Sequence, residues 1–223
     1  MTLPSPSNAT VIISADQAAE YLSRMDISIA QVRDAIEAGE IAAGNVTKHH
    51  PVTAAGMSRW MHVVGGLRSR LSRGQWRDAN PRNRPTSNHV KLPYTLSTVG
   101  ANDATGLADH PSGPLAARRK GIGTAEAVTG TIPLITVAKL RKEQVRSSIG
   151  EEAPPAGNWF LLYHRDEDQV RMEVSLPSGF EDGQFTGWRV RVILPSWGQS
   201  DPAARKPLDG GGQDVDFRIS EVS

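Results

Sequence analysis

Nine basic side chains fall between Lys48 and Lys91 against a single acid, Asp78, which gives that stretch a charge balance of +8. Arg59, Arg68, Arg70, Arg73, Arg77, Arg82 and Arg84 carry most of it, with Trp60, Trp76, His49, His50, His62 and His89 among them. Guanidinium groups interleaved with flat rings suit a polyanion: the charges hold phosphates, and the rings stack on bases without reading their order. The preceding stretch has the opposite sign. Residues 14–41 hold Asp16, Glu20, Asp26, Asp34, Glu37 and Glu40 against Arg24 and Arg33, a balance of −4. The arginines therefore either contact nucleic acid or pair with this acidic segment and solvate one face.

Asn102, Asp103 and Thr105 lie in the small polar run 100–106. Its backbone amides and the Thr105 hydroxyl could hold an anion, while Asp103 bound a metal or served as a base. The run lacks the lysine and glycine spacing of a nucleotide loop, so a structural turn is the plainer reading. Arg165-Asp166-Glu167-Asp168 groups three carboxylates of the kind divalent cations take, and equally suits a solvated turn. The histidines include no His-x-x-x-His pair on one helix, and the adjacent His49 and His50 point apart. Asp103 with Lys142 and Glu143 lacks the acid-x-lysine pairing of two-metal nucleases. No Gly-x-Ser-x-Gly elbow is present. The absence of cysteine excludes disulfides, thiol nucleophiles and Cys-ligated metals. No catalytic residue, metal site or cofactor is assigned.

The elements that must position these residues run from helices to strands. Apolar spacing predicts helices over 15–25, opened by Ser14, and over 29–38, closed by Gly39, which together make a hairpin. A third helix is predicted over 54–72 on Trp60, Val63, Val64, Leu67 and Leu71, with short helices over 124–129 and 137–148. Residues 80–88 read as loop, and Val90, Leu92, Tyr94 and Leu96 as a strand pushed to an edge by Pro93. Residues 100–123 are mostly loop and include the basic triplet Arg118-Arg119-Lys120. The firmest pattern is a three-stranded meander over 158–195. Trp159 to His164 is a continuous apolar and aromatic run, Val170, Met172, Val174 and Leu176 alternate with polar residues, and so do Trp188, Val190, Val192 and Leu194. A first turn is predicted at 165–168 and a longer loop over 177–187.

The fold class expected is α+β, with N-terminal helices followed by a mainly antiparallel C-terminal sheet. Residues 1–13 read as a flexible N-terminus, 14–150 as a helical and mixed basic region, and 151–197 as the meander completing the same domain. Residues 198–223 read as a flexible tail whose Val215, Phe217 and Ile219 alternate like a terminal strand. The 38% apolar and 22% charged composition is that of a globular chain. No run approaches the ~18 apolar residues a membrane helix needs, and the first residues resemble no signal peptide, so a cytoplasmic protein without a membrane partner is expected.

Two resemblances add to this. Ala18-Ala19-Glu20-Tyr21-Leu22 followed by Val32 to Ile41 is similar to the helix-turn-helix of excisionase-like and MerR-like regulators, which implies a DNA-binding regulator. Its connection is about three residues longer than that motif's, and Asp34, Glu37 and Glu40 on the second helix would repel phosphates. His50-Pro51 with Gly56 and Trp60, Asn102-Asp103-Ala104-Thr105-Gly106, Arg119-Lys120-Gly121, Trp159-Phe160-Leu161-Leu162-Tyr163-His164, Ser175-Leu176-Pro177, and Trp188 running to Ile193-Leu194-Pro195 resemble an uncharacterised bacterial family of restriction and phage-defence gene neighbourhoods. That resemblance implies a non-enzymatic accessory or adaptor protein with a protein partner and sequence-independent nucleic-acid contact. A nucleotide- or nucleic-acid-processing enzyme pivoting on Asp103 is the remaining alternative.

Overall fold

A computed structural model describes residues 10–130 and 153–198 of the chain. In chain order these form β1 (Val11–Ile13), α1 (Ala18–Ser23), α2 (Ile29–Gly44), α3 (Ala54–Leu71), β2 (Trp76–Ala79), a 3-10 turn (Pro81–Asn83), β3 (Thr86–His89), β4 (Tyr94–Gly100), α4 (Ile122–Thr129), β5 (Gly157–Arg165), β6 (Gln169–Glu181) and β7 (Gln184–Gly198). The helix expected over 137–148 and the tail beyond Gly198, with its alternating Val215, Phe217 and Ile219, lie outside the described residues.

The seven strands make one sheet in the order β1-β7-β6-β5-β4-β3-β2. The protein is α+β, but the sheet is mixed where a mainly antiparallel one is expected from the strand patterns. β4 runs parallel to β5, and β1 parallel to β7. Parallel pairing needs a long crossover, and the stretch between β4 and β5, which contains α4, supplies one. The helices are correspondingly not confined to the N-terminal part. Val11–Ile13, expected within a flexible terminus, pairs with Val190 to Val192 as β1.

The expected meander is present as β5, β6 and β7. Trp159, Leu161 and Tyr163 of β5 face α1–α3, while Phe160 and Leu162 pack on the other side. A strand covered on both faces reads as an unbroken apolar run for this reason. Met172, Val174, Val190 and Val192 all point to the helical side and are buried. The long loop expected over 177–187 is instead strand. β6 continues through Pro177 to Glu181, and a two-residue turn, Asp182-Gly183 with φ of 48° and 79°, starts β7. Two left-handed residues in succession give the hairpin twist that matches its strands. Register shifts on either side of Pro177 mark bulges that accommodate a residue with no N–H. They also place Trp188 beside Phe160 and Phe185, on the face opposite Val190.

α2 begins with a capping box, Ser28 accepting from the Gln31 N–H and Gln31 accepting from the Ser28 N–H. It does not end at Gly39. A Cβ there would lie 2.4 Å from Val63 Cγ2 and 2.9 Å from the Arg59 carbonyl oxygen, so Gly39 is where α3 comes closest. α1 starts at Ala18, after a turn in which the Gln17 N–H donates to the Ser14 carbonyl. β3 occupies ground expected to be loop, and β2 lies just before it, where no element is expected: Thr86, Ser87 and His89 are buried, with His89 Nε2 2.8 Å from Asp26 Oδ2. The chain 101–121 and α4 cover the second sheet face. Among the described residues, no helix is long and apolar enough to cross a membrane.

Candidate functional site

The edge of β4 changes partner part-way along. β3 pairs with it as far as Thr86 opposite Ser97. From Gly100 onward the chain around Ala116 takes over, with the Ala117 N–H donating to the Gly100 carbonyl (2.9 Å) and Ala101 bridged to Ala116. Between these partners Thr98 and Val99 lie at an opening, into which α3 sends Trp60, its indole N–H donating to the Thr98 carbonyl (3.3 Å). Two cavities adjoin there and share Trp60 and Lys120. The larger, about 550 Å³, lies at the carboxyl ends of the parallel pair β4 and β5 and is lined by Arg59, Arg118, Tyr163 and Arg165. The smaller, about 230 Å³, is lined by Arg82, Arg84, Ser97, Gly121 and Thr124. The ends of parallel strands are where α/β sheets commonly receive ligands.

Among the described residues, neither lining contains an Asp or Glu side chain. Glu40 of α2 stands behind the larger cavity and joins Arg59 of α3 to Arg165 of β5, with Arg165 Nε 3.0 Å from Glu40 Oε2. One carboxylate between two guanidiniums leaves a positive surplus. Arg82 is paired with Glu126 at 2.7 Å. Among the described residues Arg84 has no carboxylate: it donates to Ser97 Oγ (2.6 Å) and Asn158 Oδ1 (3.4 Å), and its Nε–H is buried without an acceptor there. Burial pushes the Arg84 guanidinium below the ordinary arginine value. Burial, and then the charge of Arg118, push the Lys120 ammonium down as well. The Tyr163 phenol is held up at about 12, chiefly by burial, with Arg59 opposing and Glu40 adding to the shift. His164 Nδ1 lies 3.1 Å from the Ala101 carbonyl, which can only accept, so that nitrogen carries the proton.

No family model, curated protein or solved structure matches this chain.

Of the seven arginines singled out by charge, Arg59, Arg82 and Arg84 come together at this opening. The others do not. Arg68 lies 3.3 Å from Asp78 and donates to Asn80, Arg70 donates to Asp34 (3.1 Å) and to the Gly66 carbonyl, and Arg77 donates to the carbonyls of Ser72, Gly74 and Trp76. Arg73 is exposed and has no partner among the described residues. Pairing with the acidic helices accounts for Arg70 with Asp34 and Arg59 with Glu40. α2 itself buries Val32, Ala35, Ile36, Gly39 and Ala43, and its Asp34 and Glu40 are the acids engaged in those pairs.

The run 100–106 holds an anion that belongs to the protein. The Gly106 N–H donates to Glu173 Oε2 (2.8 Å), and the Ala104 carbonyl accepts from Arg191 (3.4 Å). Thr105 is fully buried and its hydroxyl donates to the Asn102 carbonyl, Asn102 Oδ1 accepts from the Leu115 N–H, and Asp103 faces solvent. Asp166 pairs with Arg171 at the β5–β6 turn. His50 and His62 line a separate cavity of about 460 Å³ with Met57 and Met61. Among the described residues, no group of three or more His, Asp or Glu side chains could hold a metal ion. Arg118, Lys120 and Arg165 are the site residues that sequence reasoning misses. The triplet 118–120 is visible as basic loop, but nothing local places it against Arg84.

Proposed function

We propose that this protein is a non-enzymatic nucleic-acid-binding protein whose cleft holds a single strand without regard to its sequence. The observation that carries the reading is the lining of the two adjoining cavities: Arg59, Arg82, Arg84, Arg118, Lys120 and Arg165, with Trp60 shared and no carboxylate among the described residues. Glu40 and Glu126 offset part of this charge from behind, which leaves Arg84, Arg118, Lys120 and one charge of the Arg59 and Arg165 pair as the surplus. Cations without acids on the walls favour phosphates, and the Trp60 ring offers a face on which any base can stack, worth about 1–3 kcal/mol per base. Charge and stacking bind a strand, and no reaction is assigned to them. The resemblance to a family of restriction and phage-defence neighbourhoods supports an accessory or adaptor role, in which the strand is held for a protein partner.

Fluorescence anisotropy of a labelled single strand at stepped salt tests the reading with the full chain. Unrelated sequences should bind alike at low salt and lose affinity steeply as salt rises, because bound counterions are released. The double variant Arg118→Ala, Lys120→Ala should weaken binding about tenfold or more and flatten the salt slope. Arg73→Ala, on the exposed turn after α3, should change neither. No binding at low salt, or a loss confined to Arg73→Ala, overturns the proposal. Co-purification from the native host tests the partner.

A further inference from the structure

We infer that the smaller cavity is a pocket for a terminal phosphate, so that the protein grips a nucleic-acid strand by a phosphorylated end. The inference rests on the strand-binding reading above and adds the group that is recognised.

A partly buried arginine without a carboxylate among the described residues distinguishes this cavity from the larger one, where Arg118 is exposed. Among the described residues, Arg84 is hydrogen-bonded only to neutral oxygens, those of Ser97 and Asn158, and its Nε–H meets no acceptor. Lys120 has no side-chain partner among the described residues, although its backbone N–H is fixed to the Gly183 carbonyl (2.9 Å). Taking a cation out of water without a counter-charge is costly, so two such groups on one wall are a standing demand for negative charge. A phosphodiester inside a strand brings one charge and two free oxygens. A terminal phosphomonoester brings about −1.5 to −2 near neutral pH and three acceptor oxygens, which matches two unpaired cations.

The backbone around the cavity fits the same ligand. Arg82 and Asn83 are both left-handed, with φ of 50° and 58°, and this turns the chain between Pro81 and Arg84 so that Arg84 meets Ser97. Left-handed backbone is disfavoured for arginine and more readily adopted by asparagine, and such strain gathers where ligands are clamped. Opposite them α4 opens with Gly121, Ile122 and Gly123, whose first-turn amides have no acceptor within the helix. Among the described residues nothing lies within 4 Å of where a Gly121 side chain would begin, so that backbone is open to a close approach. Trp60 and Lys120, common to both cavities, then give the strand its path: phosphate beside Arg84, first base at Trp60, remainder along Arg118.

The test uses the full chain and three strands of one sequence carrying a phosphate at the 5′ end, at the 3′ end or at neither. One of the two phosphorylated strands should bind about tenfold or more tightly than the strand ending in hydroxyls. Arg84→Gln and, separately, Lys120→Gln should bring that ratio close to one, each variant being checked by its thermal melt and its ratio taken against its own, weakened binding of the hydroxyl-ended strand. Equal binding of all three strands overturns the pocket and leaves the cleft reading standing, whereas no binding by any strand overturns both. A preference that survives in both variants places the end elsewhere and overturns the assignment. Inorganic phosphate should displace the phosphorylated strand only far above that strand's Kd. Displacement at matched concentration would make this a free-phosphate site and sink the strand-end inference.

Discussion

Glu173 on β6 and Arg191 on β7 meet in a two-pronged ion pair on the sheet face away from α1–α3, with Arg191 Nε 3.0 Å from Oε1 and Nη2 2.6 Å from Oε2. Arg191 stands opposite Ser175 in the register, so the pair runs diagonally across the two strands. The Ser175 hydroxyl and the Gly106 N–H complete the carboxylate's contacts at 2.7 and 2.8 Å. Neither side chain reaches water to any useful extent. Arg191→Met should therefore cost about 3–5 kcal/mol, because it strands a buried charge, while adding Glu173→Leu should recover part of that loss. Urea unfolding of the single and double variants reads this directly. A single variant within ~1 kcal/mol of the parent would mean that the pair is not closed.

Val190 lies between Val11 of β1 and Leu176 of β6 and faces the helices. Val190→Asp should destabilise the protein by ~3 kcal/mol or more, since the carboxylate has no partner there. A thermal melt matching the parent's would contradict the register.

Gly39 and Gly44 make a matched pair within α2. Alanine is the better helix former by about 1 kcal/mol in a helix interior, and Gly44, the exposed last residue of α2, gains part of that, since nothing among the described residues lies within 4 Å of a new Cβ. Gly44→Ala should thus be neutral or stabilising. At Gly39 the new methyl meets Val63 and the Arg59 carbonyl, and overpacking of about 1–3 kcal/mol should exceed the helical gain. Chemical denaturation of both variants, with the same sign of change in each, would refute the close approach of α2 and α3.

Burial raises the Tyr163 phenol from its ordinary 10.0 to about 12, and burial, followed by Tyr94, does the same for Tyr21. A group whose folded pKa is raised stabilises the fold fully below the unfolded value and loses that contribution as pH climbs through the folded one. Stability should therefore be unaffected by these phenols below pH 10 and should fall between about 10 and 12. Ultraviolet titration of the folded protein should show both rings still protonated well above the pH at which the urea-unfolded chain ionises. Ionisation of all tyrosines at the unfolded value would place these rings in water.

Much of the sheet is written in its residues. Val170, Met172, Val174 and Leu176 alternate because one side faces helices, and the flat apolar run of β5 reflects cover on both sides. Asp182-Gly183 is itself a hairpin signal, but Pro177-Ser178-Gly179 reads more strongly as loop until bulges are known to absorb the proline. β3 is illegible for a different reason: it buries Thr86, Ser87 and His89, of which Thr86 and His89 are held by side-chain hydrogen bonds to Ala79 and Asp26 rather than marked by apolar spacing. The site is hidden for the same cause on a larger scale. Arginines at helical spacing advertise a charged face, yet Arg68 and Arg70 are consumed by Asp78 and Asp34, and the uncompensated Arg84 and Lys120 are brought together only by the crossover from β4.

The parallel pairing of β1 with β7, fastened by Thr10 Oγ1 donating to the Trp188 carbonyl, joins residues separated by 178 positions. In a chain emerging from the ribosome at the usual pace, β1 waits roughly 10–40 s for the strand it will lie against. A three-residue strand holds no shape alone, so its apolar Val11 and Ile12 stay solvated throughout that interval. When β7 arrives, its outer edge is open to any extended segment, and the β1 of a neighbouring nascent copy fits it as well as its own. Crowded translation of this protein thus carries a built-in route to strand-exchanged dimers, which dilution during refolding would suppress.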